Sequence, residues 1–151
     1  MIILWIDPWT TTVWYAIVDK NWHKKTLIDY WVILTTPKMS FQNKIIEIIS
    51  DISELIEKYN PEKAVIEKLY FQTNTKTAID VAQSRWAIIY ELYRKHLEIA
   101  EYTPLQLKKA ITWNGKANKL QLQKSIKILF GLDEIPRPDD AADAIGLAYM
   151  G

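Results

Sequence analysis

Ile2-Ile3-Leu4-Trp5-Ile6-Asp7-Pro8 opens the chain, and its reading decides the fold. Five apolar residues run straight into a carboxylate and a proline. An apolar run this short, rich in isoleucine and bounded by a turn signal, reads as a buried strand. Residues 12–19 and 25–34 are two more runs rich in Ile, Val, Thr, Tyr and Trp, and they flank a short turn at Lys20-Asn21-Trp22-His23. Three strands joined this closely form an antiparallel meander.

Beyond the Thr35-Thr36-Pro37 break the period changes. Ile45, Ile48, Ile49, Ile52, Leu55 and Ile56 recur at three and four, which predicts a helix capped by Ser40 and ending near Tyr59. Residues 64–67 read as a short buried strand, 75–96 as a second helix, and 98–102 as a fifth strand. Thr103-Pro104 places a cap before a proline at the first helical position. Asn118 caps a helix to Phe130 that Gly131 stops, and Asp139 opens a last helix to Met150. Residues 1–151 therefore read as a single mixed α/β domain: a five-stranded mixed sheet flanked by helices.

Composition excludes several classes. Among 151 residues, 49% hydrophobic and 25% charged, the chain is too apolar to be disordered and has no run long enough to span a membrane. The first residues carry no basic segment ahead of the apolar run, so no signal peptide is read there. Zero cysteines exclude a disulfide scaffold, a zinc–thiolate site and a cysteine nucleophile. A cytoplasmic protein is expected. Net charge is +1, but it is unevenly placed. Between Tyr102 and Leu132 lie Lys108, Lys109, Lys116, Lys119, Lys124 and Lys127 with no acid, leaving 13 bases against 18 acids elsewhere. Such a block is either a solvated helix face or a footprint for a polyanion.

Four acids stand where burial makes them costly. Asp7 and Glu67 each end an apolar strand, and Asp140 and Asp143 share a helix face among Ala141, Ala142, Ala144 and Ile145. Singly, each has a bland reading: Asp7-Pro8 as a turn, and the helical acids as complements of the macrodipole. Together, oxygen donors without His or Cys point to a hard cation, Mg²⁺ or Mn²⁺. Two such ions suit phosphodiester hydrolysis.

Ile6-Asp7-Pro8 with Trp14-Tyr15, Ile66-Glu67-Lys68-Leu69-Tyr70, Gln83-Ser84-Arg85, Gln106-Leu107-Lys108 with Lys119-Leu120-Gln121, and Asp139-Asp140-Ala141-Ala142-Asp143 together resemble the RuvC family of bacterial Holliday junction resolvases. The resemblance runs along the whole chain in order. It implies a ribonuclease H-like fold and an Mg²⁺-dependent endonuclease that resolves four-way DNA junctions by symmetric paired nicks. It implies that Asp7, Glu67, Asp140 and Asp143 hold two Mg²⁺ ions per subunit, with Mn²⁺ able to substitute. Lys108 and Lys119 match lysines that contact DNA, Lys116 lies beside them, and Tyr70 matches an aromatic that stacks at the opened junction centre. A homodimer is implied; whether a RuvA–RuvB branch-migration complex accompanies it stays open. The alternatives are another ribonuclease H-like nuclease acting on RNA or within a larger system, a non-catalytic junction-binding protein, and an ATP-binding module suggested by Asp7-Pro8-Trp9-Thr10-Thr11.

One departure recurs. Where the family pattern has glycine, this chain has tryptophan, at Trp5, Trp9, Trp14, Trp86 and Trp113. The counts are 4 glycines and 7 tryptophans, whereas average usage gives about 11 glycines at this length. Asn21-Trp22 stands where a hairpin favours Asn-Gly, and Pro8-Trp9 where a turn favours Pro-Gly. The expectation is that all seven codons, including that of Trp31, are UGA, read here as tryptophan where the organism inserts glycine.

Overall fold

The computed structural model describes residues 1–21, 24–68, 75–136 and 139–151, with the side chains of residues 75–77, 139–140 and 147 outside that description. Among the described residues five strands and five helices follow in the order the sequence predicts. They are β1 (Ile2–Asp7), β2 (Thr12–Lys20), β3 (Lys25–Leu34), α1 (Phe41–Tyr59), β4 (Lys63–Glu67), α2 (Thr75–Arg94), β5 (Glu98–Tyr102), α3 (Pro104–Thr112), α4 (Lys119–Phe130) and α5 (Asp139–Met150).

The sheet order is β3-β2-β1-β4-β5. β1 pairs antiparallel with β2, β2 with β3, and β1 and β4 pair parallel, as do β4 and β5. The meander therefore forms one half of the sheet, and two right-sized α-helical crossovers build the other. β1 is central, which is why Ile3, Leu4, Trp5 and Ile6 are all fully buried.

Strand alternation splits the core into two layers. Leu4 and Ile6 face Ile48, Ile52, Ile88 and Leu92 of α1 and α2. Ile3, Trp5 and Val65 face Leu107, Ile126, Ala142 and Ile145 of α3, α4 and α5. Small residues on α5 let it lie close against the sheet: a Cβ on Gly146 would stand 2.8 Å from Leu107 Cδ1.

Local chemistry sets the helix ends. Ser40 accepts from the Asn43 N–H at 3.3 Å. Thr103 and Gln106 form a reciprocal capping box at 2.8 and 3.1 Å, and Asn118 and Gln121 another at 2.9 and 2.8 Å. Gly131 closes α4 with φ 62°.

One boundary differs from expectation. α2 stops at Arg94, because His96 takes φ 61° and the Leu97 N–H returns to the Leu92 carbonyl at 3.0 Å, turning buried Leu97 under the helix end. In the hairpin, Asn21 N–H donates to Lys24 O at 3.0 Å, and the expected turn residues Trp22 and His23 lie outside the described residues. Among the described residues no helix is long and apolar enough to cross a membrane.

Candidate active site

Parallel pairing of β1 with β4 sets Ile6 beside Ile66, so Asp7 and Glu67 follow as neighbours at the same end of the sheet. Both have the parity of Trp5 and Val65, which face the α5 layer. Each carboxylate is half-buried.

The C-terminal end of α5 packs against the opposite end of β1 and β4. Gly151, just past α5, lies against Ile3 and Val65, where an added Cβ would meet their methyl groups at 2.9 and 2.5 Å. Lys20 and Lys25 donate to the carbonyls of Gly151 and Tyr149 at 3.1 and 3.2 Å, favourable company for a helix C-terminus. From Gly151 back to Asp143 is eight residues, about 12 Å of helix. From Ile3 to Asp7 is four residues, about 13 Å of strand. The two lengths are comparable, so α5 extends back from the start of β1 toward its Asp7 end, and Asp143 is half-buried. Asp140 lies one turn earlier on α5; its side chain is outside the description, as is all of Tyr70.

The donor set that this end assembles is carboxylate only, the chemistry of a hard cation site. Among the described residues no three such groups already form a cluster able to hold a metal. Asp7 Oδ2 accepts a hydrogen bond from the Trp9 indole N–H at 3.0 Å, so that indole occupies one lone pair of a candidate ligand. A glycine at residue 9 would release it.

The helix that opens the lysine block starts at the same end. β5 closes at Tyr102 and Thr103 caps α3 at once, so α3 starts beside Glu67, which pairs with Tyr102. Lys108 is half-buried on α3, Lys116 is exposed in the following loop, and Lys119 is exposed at the first turn of α4.

Sequence reasoning quoted Ser84 and Arg85 without seeing their work. Ser84 is fully buried and its hydroxyl donates to the Trp9 backbone carbonyl at 3.1 Å. Arg85 forms an ion pair with Glu101 of β5. The signal available was a small polar residue within the buried α2 stripe of Val81, Ser84, Ile88 and Leu92.

With this geometry in view, the family model for crossover junction endodeoxyribonuclease RuvC matches residues 3–150. The chain belongs to the RuvC family. A RuvC from Halothermothrix orenii is 43% identical over 148 residues, covering 98% of this chain and 90% of that protein. One from Petrotoga mobilis is 40% identical over 149 residues, covering 99% and 91%. The solved structure of Thermus thermophilus RuvC in complex with a Holliday junction substrate superposes with a TM-score of 0.90 at 26% identity, covering 98% of this chain and 90% of that one. Membership in RuvC makes the chain a Holliday junction-resolving endonuclease with an α/β, ribonuclease H-like fold.

Proposed function

We propose that this RuvC-family endonuclease makes paired, symmetric nicks in four-way DNA junctions using Asp7, Glu67, Asp140 and Asp143 as the ligands of two Mg²⁺ ions, for which Mn²⁺ can substitute. The observation that carries the assignment is the parallel pairing of β1 with β4, which ends the two strands side by side in Asp7 and Glu67, with the parity of Trp5 and Val65 on the face that α5 covers. When bound, the ions activate a water and stabilise the leaving oxygen of the phosphodiester.

The chain's own groups do the rest. The four carboxylates supply hard oxygen donors from three elements whose positions the sheet fixes. Lys108, Lys116 and Lys119 present cations for the DNA phosphates, holding the strand over the acids and making binding salt-dependent. Tyr70 stacks on a base at the junction centre.

A homodimer completes the reading. Ile79, Trp86, Tyr90 and Tyr93 form an exposed stripe on α2, opposite the face buried against the sheet, each more than 60% exposed. An apolar stripe of this kind marks an interaction surface. A second copy packed on it about a two-fold axis would present two acid clusters to two strands of like polarity. A RuvA–RuvB complex is the remaining proposed partner, and the cytoplasm the proposed compartment.

The test uses a synthetic four-way junction beside linear duplex of the same sequence. Mg²⁺-dependent paired nicks in the junction alone are expected, with Asp7→Asn binding the junction but failing to nick it. Full cleavage by Asp7→Asn with Mg²⁺ present would remove Asp7 from the ligand set.

A further inference from the structure

Asp7 faces the α5 layer, yet the loop that follows it is held from the opposite side of the sheet. α2 packs against the Leu4 and Ile6 face. From there Ser84, with no solvent exposure, reaches past the end of β1 and donates to the carbonyl of residue 9 at 3.1 Å. The acceptor is backbone, so the bond does not depend on whether residue 9 is tryptophan or glycine. The next residue, Arg85, pairs with Glu101 of β5, and Glu101 precedes Tyr102, the strand partner of Glu67. Two successive residues of one helix thus grip the loop after the Asp7 strand and the strand beside Glu67.

We infer that Ser84 is a positioning residue for the acid cluster: it fixes the turn at residues 8–10 and thereby the direction of the Asp7 carboxylate, two residues from the carbonyl it holds. This rests on the metal-site reading proposed above. The physical reason is that Asp7 is the last residue of β1, where the ladder to β2 ends at Trp14. The loop that follows is tied down at Thr11, whose carbonyl accepts from the Thr35 N–H at 3.1 Å, and, closer to Asp7, at residue 9 by the Ser84 hydroxyl locked in the core; a carboxylate must be held within a narrow range of directions to serve a metal. The same helix carries the exposed stripe of Ile79, Trp86, Tyr90 and Tyr93, so a partner seated there would bear on the residues that hold the acid end.

The experiment measures Mn²⁺ binding to the full chain by calorimetry without DNA, together with the Mg²⁺ dependence of junction nicking. Ser84→Ala is expected to weaken Mn²⁺ binding and raise the half-saturating Mg²⁺ concentration by about three- to tenfold, the range one lost hydrogen bond supports, while metal-free junction binding stays unchanged. Ser53→Ala is the structural control. It removes a comparable hydroxyl bond, 2.6 Å to Glu91, in the same α1–α2 layer but away from the acids. It should lower stability and leave the metal response alone. Unchanged metal binding in Ser84→Ala, or an equal shift in Ser53→Ala, overturns the role of Ser84. Absence of Mn²⁺ binding by the wild-type chain overturns the metal reading itself, and with it the role built upon it.

Discussion

Replacing Trp113 by glycine should make the protein more stable, although it deletes the largest side chain in the alphabet. Trp113 caps α3 with φ 57° and ψ 8°, its N–H donating to Lys109 O at 3.0 Å. Four described residues have positive φ: Asn60, His96, Gly131 and Trp113. Asn, His and Gly tolerate the left-handed region, whereas a bulky residue there is an outlier. The strain is worth about 1–2 kcal/mol. Glycine returns about 0.5–1 kcal/mol of this through its freer unfolded state. The indole is 94% exposed, so almost no burial is lost. The balance is a gain of about 0.5–1 kcal/mol, read as about 1–4 °C in Tm for a chain of this size. Trp113→Ala is the control, because it removes the indole but keeps the Cβ. Thermal melts in which Trp113→Gly is no more stable than Trp113→Ala would refute the reasoning. Trp5 is a poorer probe. Its indole is fully buried with an unpartnered Nε1, and the packing, about 3–5 kcal/mol, outweighs the orphaned donor at about 1–3 kcal/mol, so Trp5→Gly should destabilise this chain. The gene decides the wider expectation: UGG at the seven tryptophan codons ends the glycine reading.

Other outcomes follow from the same structure. Lys119→Ala should lower the salt slope of junction binding by about one; equal slopes in wild type and variant would remove Lys119 from the DNA contact. Hydrogen bonds from Arg94 hold the Glu91 carboxyl below its usual range, against the opposing effect of burial. A depressed folded value means stability that is complete above the unfolded carboxylate pKa and lost as pH falls through the folded one. Glu91→Gln should therefore be less stable at neutral pH and show a flatter decline in acid, and parallel pH–stability curves would count against it. Gly146→Ala forces a methyl toward Leu107 and Ile126 and should cost about 1–3 kcal/mol in urea denaturation; a neutral effect would show that α5 can shift off the sheet.

What could be read locally was read well. The caps at Ser40, Thr103 and Asn118 involve atoms three residues apart, so the sequence alone specifies them. The strand runs and the acids that end them were visible because carboxylates interrupt apolar periods. Long-range bonds were not visible. Asp29 accepts from both Tyr15 and Tyr59, joining β3 to β2 and to the end of α1, and burial, followed by the Asp29 charge, pushes the Tyr15 hydroxyl well above its usual range. No spacing in the chain announces that triad, nor the bond from Ser84 to residue 9.

The sequence by itself determined the element order, the helix caps at Ser40, Thr103 and Asn118, and the four acids with their lysine block, because propensity, capping and apolar period act over a few residues. Tertiary structure alone decided that β1 lies between β2 and β4, that the end of α5 packs against the start of β1, and hence that Asp7 and Glu67 end neighbouring strands. Those outcomes depend on which buried faces fit together, and burial is a property of the assembled layers.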